Sequence, residues 1–323
     1  MYKYFIFIFI LSYISCGYDQ YFFEASPANP SEKIQSLLDG LGQEAITQSF
    51  LRNLQDTITL KSGFRIITEP NDICDQSGKL LNSGTKPLYC NELDVKVTEI
   101  KKKGELIIHH LFTMTNSDEI LNYEKIVKLN IICDYTPLFV SANQFVLLQS
   151  PTTNFANNFN LYYGTSNKIN RNIEIGRGID SSNNADKAIL SSWPIGNSNV
   201  VDGYQFSSRR LGWLILAQPL ASTNPKDMLK IKVSGGRDDA NTRVFAVFNN
   251  SNTVIECQYN KDEKYFYHNN IPINTDMKIL SIASVNNTWE LGKTNTTFDA
   301  QNLINVEMKP TTVQEINDSI YGL

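Results

Sequence analysis

Three histidines are the residues of this sequence best suited to acid–base or metal chemistry. His109 and His110 are adjacent, and neighbouring side chains on a strand point to opposite faces, so the two could not bind one metal there. A site formed by His110 and His268 is conceivable, but a packing or surface role is favoured for both. The sequence contains no GxSxG nucleophile motif, no P-loop and no glycine-rich dinucleotide motif. Histidine-dependent catalysis therefore has no local support.

Five cysteines, Cys16, Cys74, Cys90, Cys133 and Cys257, are the second reactive group, and no two form a CxxC pair. If Cys16 is excised or lipidated during export, four cysteines remain in an oxidising compartment, and an even number predicts two disulfides. Among three possible connectivities we prefer Cys74–Cys90 with Cys133–Cys257. The first would close a loop of roughly 15 residues, worth about 3 kcal/mol in the chain-entropy model. The alternative is four buried free thiols.

Loop carboxylates are the third group. One stretch rich in Asn and Ser begins at Asp180 and ends at Asp186, and in another stretch Asp238 and Asp239 follow Gly236. Oxygen-rich loops of this kind can bind calcium, although neither matches a twelve-residue EF-hand loop. Asp and Asn are also ordinary turn residues, so the sequence predicts no cofactor, with calcium as the alternative. Hydrolysis by two carboxylates, as in glycoside hydrolases, leaves no local signature and stays open.

Aromatic residues in or beside the polar stretch 150–199 suggest a binding surface. Trp193, Tyr162 and Tyr163 lie inside this stretch, and Tyr204 follows it. Exposed aromatic side chains on loops can stack on sugar rings or anchor a protein partner. These four residues are therefore the predicted binding residues. The alternative is that Trp193 covers the edge of the core.

Four Asn-x-Ser/Thr acceptors, at Asn249, Asn286, Asn295 and Asn317, are candidates for N-glycosylation. All four lie in the last quarter of the chain. If they carry glycans, this part of the surface must face solvent.

The N-terminal 17 residues have the layout of a secretory signal, with Lys3 ahead of an apolar run at 5–11 and small residues at the end. The run is too short to span a bilayer, so no transmembrane helix is predicted. Cleavage after Gly17 would release a secreted protein, which is favoured. Cleavage before Cys16 would leave a lipid-carrying cysteine, as in bacterial lipoproteins. The segment before Cys16 resembles that signal loosely, since Tyr13 stands where leucine is usual.

Composition indicates an extracellular β protein. The chain has 323 residues, a net charge of −4, 15 Tyr and 17 Phe. Aromatic residues together with Thr favour strands. Lys and Arg are scattered, so no basic face for nucleic acid is predicted.

The elements that would position these residues divide into four stretches. We predict a signal peptide at 1–17, a helical segment at 18–60, a first β region at 61–150 and a second at 151–323 that begins with long polar loops. The helical segment contains two helices, at 30–42 and 43–57, each with apolar residues at helical spacing. Residues 105–115 are apolar on both faces and are predicted to form a central strand.

The predicted fold is mainly β, with antiparallel sheets packed as one or two sandwiches after a short helical N-terminal segment. The predicted function is that of a non-enzymatic, secreted or surface-attached protein that binds a protein or glycan partner through the loops at 155–203. The alternatives are a lipid-anchored structural subunit of a bacterial envelope assembly and a secreted carboxylate-based hydrolase.

Overall fold

A computed structural model describes residues 30–42, 46–50, 57–69, 72–80, 93–115, 117–153, 155, 159–166, 173–177, 188–195, 199–301 and 303–323. Its helices are α1 (Pro30–Gly40), α2 (Lys103–Ile108) and α3 (Val313–Tyr321). The strands up to residue 166 are β1 (Ile46–Phe50), β2 (Thr57–Thr59), β3 (Arg65–Ile67), β4 (Ile73–Cys74), β5 (Leu93–Ile100), β6 (Leu111–Thr115), β7 (Leu121–Cys133), β8 (Thr136–Pro137), β9 (Phe139–Val140), β10 (Val146–Pro151) and β11 (Asn160–Ser166). The later strands are β12 (Ile173–Arg177), β13 (Ile189–Ile195), β14 (Asn199–Ser208), β15 (Gly212–Pro219), β16 (Lys226–Val233), β17 (Thr242–Phe248), β18 (Val254–Asn260), β19 (Tyr265–Pro272), β20 (Asp276–Val285), β21 (Thr288–Thr297), β22 (Leu303–Val306) and β23 (Lys309–Thr311).

The chain is mainly β and its sheets are mostly antiparallel, which confirms the predicted fold class. Sheet 1 has the strand order β1-β5-β7-β15-β11-β12-β6, with β8 added beside β7. Sheet 2 has the order β13-β14-β10-β3-β2, and β4 pairs with β9. Sheet 3 has the order β22-β16-β19-β18-β17-β20-β21-β23. The parallel pairs among the described strands are β6 with β12 and β16 with β22.

Sheets 1 and 2 form a sandwich. Alternating apolar residues of both sheets meet in one core, which contains Val95, Leu129, Leu148, Phe206 and Leu214. Burying one such side chain contributes about 2 kcal/mol, so this core is the main source of stability for the sandwich.

Sheet 3 curls around a separate core of its own, which includes Leu229, Ile231, Phe248, Phe266 and Ile279. The strand β16 alternates between these apolar side chains and two lysines, as its sequence predicts; Lys230 is half-buried and Lys232 is exposed.

The three helices lie between the sandwich and sheet 3. One shared core joins them to the second face of sheet 1 and the outer face of sheet 3, and it includes Ile34, Ile107, Ile215, Ile282 and Ile320. Sheet 1 is therefore covered on both faces, and the two β bodies are fastened by a common apolar layer.

The second predicted helix, at 43–57, is wrong where the structure describes it. The strand β1 pairs with β5, opposing Ile46 with Val97 and Phe50 with Leu93. A spacing of four residues places apolar side chains on one face of a helix, but also on one face of a strand. The pattern alone could not separate the two structures.

The predicted strand at 105–115 is also wrong in its first half, which is the helix α2. The Glu105 carboxylate accepts the backbone N–H groups of Lys101 (2.6 Å) and Lys102 (3.3 Å) and so caps the first turn. Leu106, Ile107 and Ile108 are buried in the shared core. A short run that is apolar on all sides suits a buried helix as well as a covered strand.

The predicted division of the β region at residue 150 does not match the strand pairing. The strand β10 pairs with β14, and β7 pairs with β15, so both sides of the proposed boundary belong to the same sandwich. The chain passes from the sandwich to sheet 3 between Pro219 and Lys226. None of the described helices combines the length and apolar character needed to cross a membrane.

Candidate functional site

The four predicted binding aromatics are buried in strands rather than exposed on loops. Tyr162 and Tyr163 lie in β11, Trp193 lies in β13 and Tyr204 lies in β14. Each is at most 6% exposed, because the strands point them into the sheet cores or onto a neighbouring strand. Trp193 lies against Gly203, where an added Cβ would be 2.5 Å from its ring. These residues stabilise the sandwich and do not offer a surface to a partner.

The structure describes only two of the four carboxylates predicted as calcium ligands, Asp238 and Asp239. Asp180 and Asp186 lie outside the described residues. Asp238 accepts the backbone N–H of Ala240 at 3.1 Å, as in an ordinary turn. Asp239 lies 3.7 Å from the Lys261 ammonium. The described part of the chain contains no group of three or more His, Cys, Asp or Glu side chains that could hold a metal ion.

The histidines do not form a common site. His268 places Nε2 2.8 Å from the Met114 sulfur and Nδ1 2.6 Å from the Asn269 carbonyl oxygen. His109 ends α2 and packs edge-on against the Trp213 ring, and burial, followed by the charge of Lys128, lowers its pKa. His110 follows in a left-handed conformation (φ 52°) and belongs to a separate polar network.

This network connects α1 with α2 and sheet 3. His110 Nε2 lies 3.0 Å from Asp39 Oδ1, and its Nδ1 lies 3.4 Å from Arg243 Nη1. Arg243 forms an ion pair with Glu256 at 2.5 Å and also donates to the Gln35 side-chain oxygen. Because Arg243 can only donate, Nδ1 must be unprotonated and Nε2 must carry the hydrogen. Burial and then the Arg243 charge lower the pKa of His110 to about 4.

Both ring nitrogens of His110 are therefore occupied by protein groups. A general base needs a free lone pair within reach of a substrate proton. This arrangement serves instead to fasten α1 onto sheet 3, and it gives no support to a hydrolase.

The preferred disulfide pairing is wrong. Cys74 and Cys257 are free, buried thiols, so neither Cys74–Cys90 nor Cys133–Cys257 is formed. Cys133 is disulfide-bonded, and its partner cysteine lies outside the described residues, as do Cys16 and Cys90. Cys257 lies in the core of sheet 3 as a free thiol. Burial raises the pKa of the Cys257 thiol, which makes it a poor nucleophile.

The predicted glycosylation sites all lie on sheet 3 or α3. Asn249, Asn286 and Asn295 are exposed, and Asn317 is half-buried on α3. Asn286 and Asn287 form the tight turn between β20 and β21 with positive φ at both positions.

A different set of aromatic residues is exposed. Residues 134–145, here called the aromatic connection, join β7 of sheet 1 to β10 of sheet 2. Tyr135 is 97% exposed, Phe139 46% and Phe145 49%. Exposed aromatic residues this close in sequence are unusual, since burying them would remove a large apolar area from water.

The backbone holds the aromatic connection in place. Cys133 pairs with Thr136, and the two residues between them, Asp134 and Tyr135, have φ of 43° and 70°. Positive φ at both central residues is the geometry of a tight hairpin turn, and it is uncommon for tyrosine. The strand β9 pairs with β4, opposing Cys74 with Phe139.

Two further contacts anchor this connection beneath its exposed side chains. Leu138 is buried in the sandwich core. The Ser141 N–H donates to the Asp72 carbonyl oxygen at 2.7 Å. The backbone pairing, the buried Leu138 and the Ser141 hydrogen bond thus hold Tyr135, Phe139 and Phe145 at the surface. Sequence reasoning missed it because residues 138–148 have the apolar content of one continuous strand.

Comparison with known proteins gives no match to any family model, curated protein or solved structure. The assignment of function therefore depends on the geometry of this chain.

Proposed function

We propose that this is a non-enzymatic binding protein, secreted or attached to a cell surface, whose aromatic connection contacts a protein partner. The observation that carries the proposal is Tyr135, an almost fully exposed aromatic side chain on a strained turn. Local strain and exposure of this kind cost free energy in the isolated protein. Contact with a partner would recover that cost by removing the ring from water.

The composition of the aromatic connection supports a protein partner. Residues 134–145 include three aromatic residues and one charged residue, Asp134. The centres of protein–protein interfaces are likewise rich in aromatic residues and poor in charge. Tyrosine is also common among the few residues that dominate binding energy. Loops at one end of a β-sandwich are a frequent place for such contacts.

The predicted export signal supports the same proposal. The charged start, apolar run and small residues of the first 17 positions are typical of a signal peptide, which would deliver the chain outside the cytosol. A lipid on Cys16 would attach the protein to a membrane surface and leave the sandwich free to bind.

A site-specific photo-crosslinker tests the proposal. The full chain would carry p-benzoylphenylalanine in place of Tyr135 and be irradiated with a surface-protein fraction from the cells that make it. We expect a discrete protein adduct that the substitution Phe139→Ser reduces. The matched control places the same crosslinker at Leu303, which is 41% exposed on β22.

The outcomes distinguish a protein partner at this site, no specific binding at this site, and a glycan partner. An adduct from position 135 and none from position 303 supports the proposal. Equal adducts from both positions, or none from either, contradict it. Binding of the unmodified protein to immobilised glycans that is lost in Tyr135→Ala would replace the protein partner with a glycan.

A further inference from the structure

A surface cavity of about 200 Å³ lies where three connections of the chain meet beside sheet 3. They are the link from β15 to β16, the turn after β17 and the turn between β19 and β20. The cavity is lined by Leu220, Ala221, Ser222, Phe248, Asn250, Ser251, Pro272, Asn274, Thr275 and Asp276. No lysine, arginine or histidine is among these residues.

Two of the three hydroxyl groups that line the cavity donate their hydrogens to the protein, while Ser222 Oγ accepts the Asn224 N–H at 3.1 Å. Ser251 Oγ donates to Thr253 Oγ1 at 3.0 Å, and Thr275 Oγ1 donates to the Pro272 carbonyl oxygen at 2.6 Å. What these oxygens still offer to a ligand is lone pairs, because a hydroxyl has one hydrogen and two acceptor sites. The cavity is therefore biased towards a ligand that donates hydrogen bonds.

The Asp276 carboxylate strengthens this bias. Its Oδ1 accepts from Thr297 Oγ1 at 2.5 Å, and Asn250 Nδ2 lies 3.5 Å from Oδ2. These neutral donors orient the carboxylate without neutralising it. Asp276 has no ion-pair partner among the residues that the structure describes. A carboxylate has about four acceptor sites, so it retains capacity for a charged donor.

The other walls of the cavity are apolar and come from Leu220, Ala221, Phe248 and Pro272. We propose that the cavity binds a primary alkylammonium group, with Asp276 as counter-ion and the alkyl stem against these apolar walls. A single carboxylate is too few charged ligands for a calcium site, which takes 6–8 oxygens. An anion would meet the Asp276 charge and the acceptor oxygens.

This site is independent of the aromatic connection. The Leu220 N–H donates to the Ile120 carbonyl oxygen at 2.8 Å, which places the cavity near the first residue of β7. The aromatic connection follows the last residue of β7, 13 residues further on. A strand of that length spans about 40 Å, so failure of one proposal leaves the other intact.

Titration of the ¹⁵N-labelled full chain, followed by backbone amide shifts, tests the site. The probes are cadaverine, Nα-acetyl-lysine methylamide and the neutral analogue Nα-acetyl-norleucine methylamide. We expect saturable shifts at 248–251 and 273–276 with the two amines and none with norleucine. A peptide lysine that binds more tightly than cadaverine points to a lysine side chain of a partner, and the reverse order points to a free diamine.

Two variants and one control make the result decisive. Asp276→Asn keeps an acceptor for Thr297 but loses the charge, so amine binding should weaken by roughly tenfold or more. Ala221→Phe fills the cavity while retaining Asp276, and it should abolish binding. Asp262→Asn, at an exposed turn, should change nothing. Norleucine binding equal to lysine, unchanged binding in Asp276→Asn, or no saturable shift with any amine would overturn the proposal.

Discussion

His110 Nδ1 faces the guanidinium of Arg243 at 3.4 Å, and this contact requires the imidazole to be neutral. Protonation would place an N–H and a positive charge opposite a group that is always charged. Asp39 on the other ring nitrogen and Glu256 beside Arg243 offset part of that repulsion. Burial and Arg243 together hold the pKa of His110 at about 4.

Stability should therefore fall on acidification. As the pH falls, a histidine in the unfolded chain takes up its proton near pH 6.5, whereas folded His110 takes up its proton only near pH 4. The contribution of His110 to the free energy of unfolding is therefore complete above about pH 6.5 and is lost as the pH falls towards 4. The difference in pKa corresponds to at most about 3 kcal/mol. Urea unfolding of the wild type and of His110→Gln at pH 7.5 and 4.5 measures it. Because His109 and His268 also have lowered pKa values, the informative quantity is the difference between the two proteins. An identical pH dependence in both would contradict the assignment.

Loss of the Arg243 side chain should destabilise the fold. Arg243→Met removes the ion pair with the Glu256 carboxylate and the donor to Gln35. Breaking a largely buried pair on one side costs about 3 kcal/mol in the free energy of unfolding. Lys309→Met is the control, because the Lys309–Glu307 pair is exposed and should contribute less than about 0.5 kcal/mol. Chemical denaturation measures the free energy of unfolding of both variants. Equal losses would show that the Arg243 contacts do not stabilise the packing of α1 on sheet 3.

Gly104 should not tolerate alanine. A Cβ on Gly104 would lie 1.9 Å from the Ile320 carbonyl oxygen, so α2 and α3 would have to separate. We expect a loss of about 2 kcal/mol, typical of overpacking. Gly40→Ala changes the last residue of α1, where an added Cβ meets nothing within 4 Å, and it should be neutral or slightly stabilising. A Gly104→Ala protein with wild-type thermal stability would contradict the close approach.

Peptide mapping without reduction should find Cys133 in a disulfide. Leu93 is opposite Cys133 in the pairing of β5 with β7, and Cys90 is three residues earlier in the chain, so we expect Cys90 as the partner. Cys74 and Cys257 should be recovered as free thiols. Iodoacetamide should modify Cys257 slowly in the native protein and rapidly after denaturation, because burial disfavours the thiolate. A Cys133–Cys257 link would refute this assignment.

The intact mass of the native protein tests export. A chain beginning at Tyr18 is expected for secretion, and a chain beginning at an acylated Cys16 for a lipid-anchored protein. Mass removed by an N-glycosidase would assign glycans to the exposed acceptors, first to Asn249, Asn286 and Asn295. A mass that retains residues 1–17 would rule out cleavage of the signal.

The sequence predicted the elements whose polar and apolar residues alternate with a single period. Ile34 and Leu38 have helical spacing, and both are fully buried on α1. Leu229, Ile231 and Val233 have strand spacing and face the core of sheet 3. In these cases one face must avoid water and the other can remain in it, so the pattern alone selects the structure.

The sequence could not predict elements that are buried on all sides. Residues 105–108 became a helix because Glu105 caps the first turn and Gly104 lets α3 approach. The Glu105 cap is a local contact, but the approach of Ile320 to Gly104 depends on tertiary structure. Trp193 and Tyr162 resembled loop aromatics because the stretch 150–199 is mostly polar, but strand pairing buried them.

Periodicity and composition therefore determined that this chain is an antiparallel β protein with an N-terminal helix and an export-like start. Tertiary structure decided which side chains reach the surface. Tyr135 is exposed because a hairpin turn directs it outwards, and Asp276 lines a cavity because three distant connections meet there. Such positions depend on contacts between residues far apart in the chain, which no local pattern encodes.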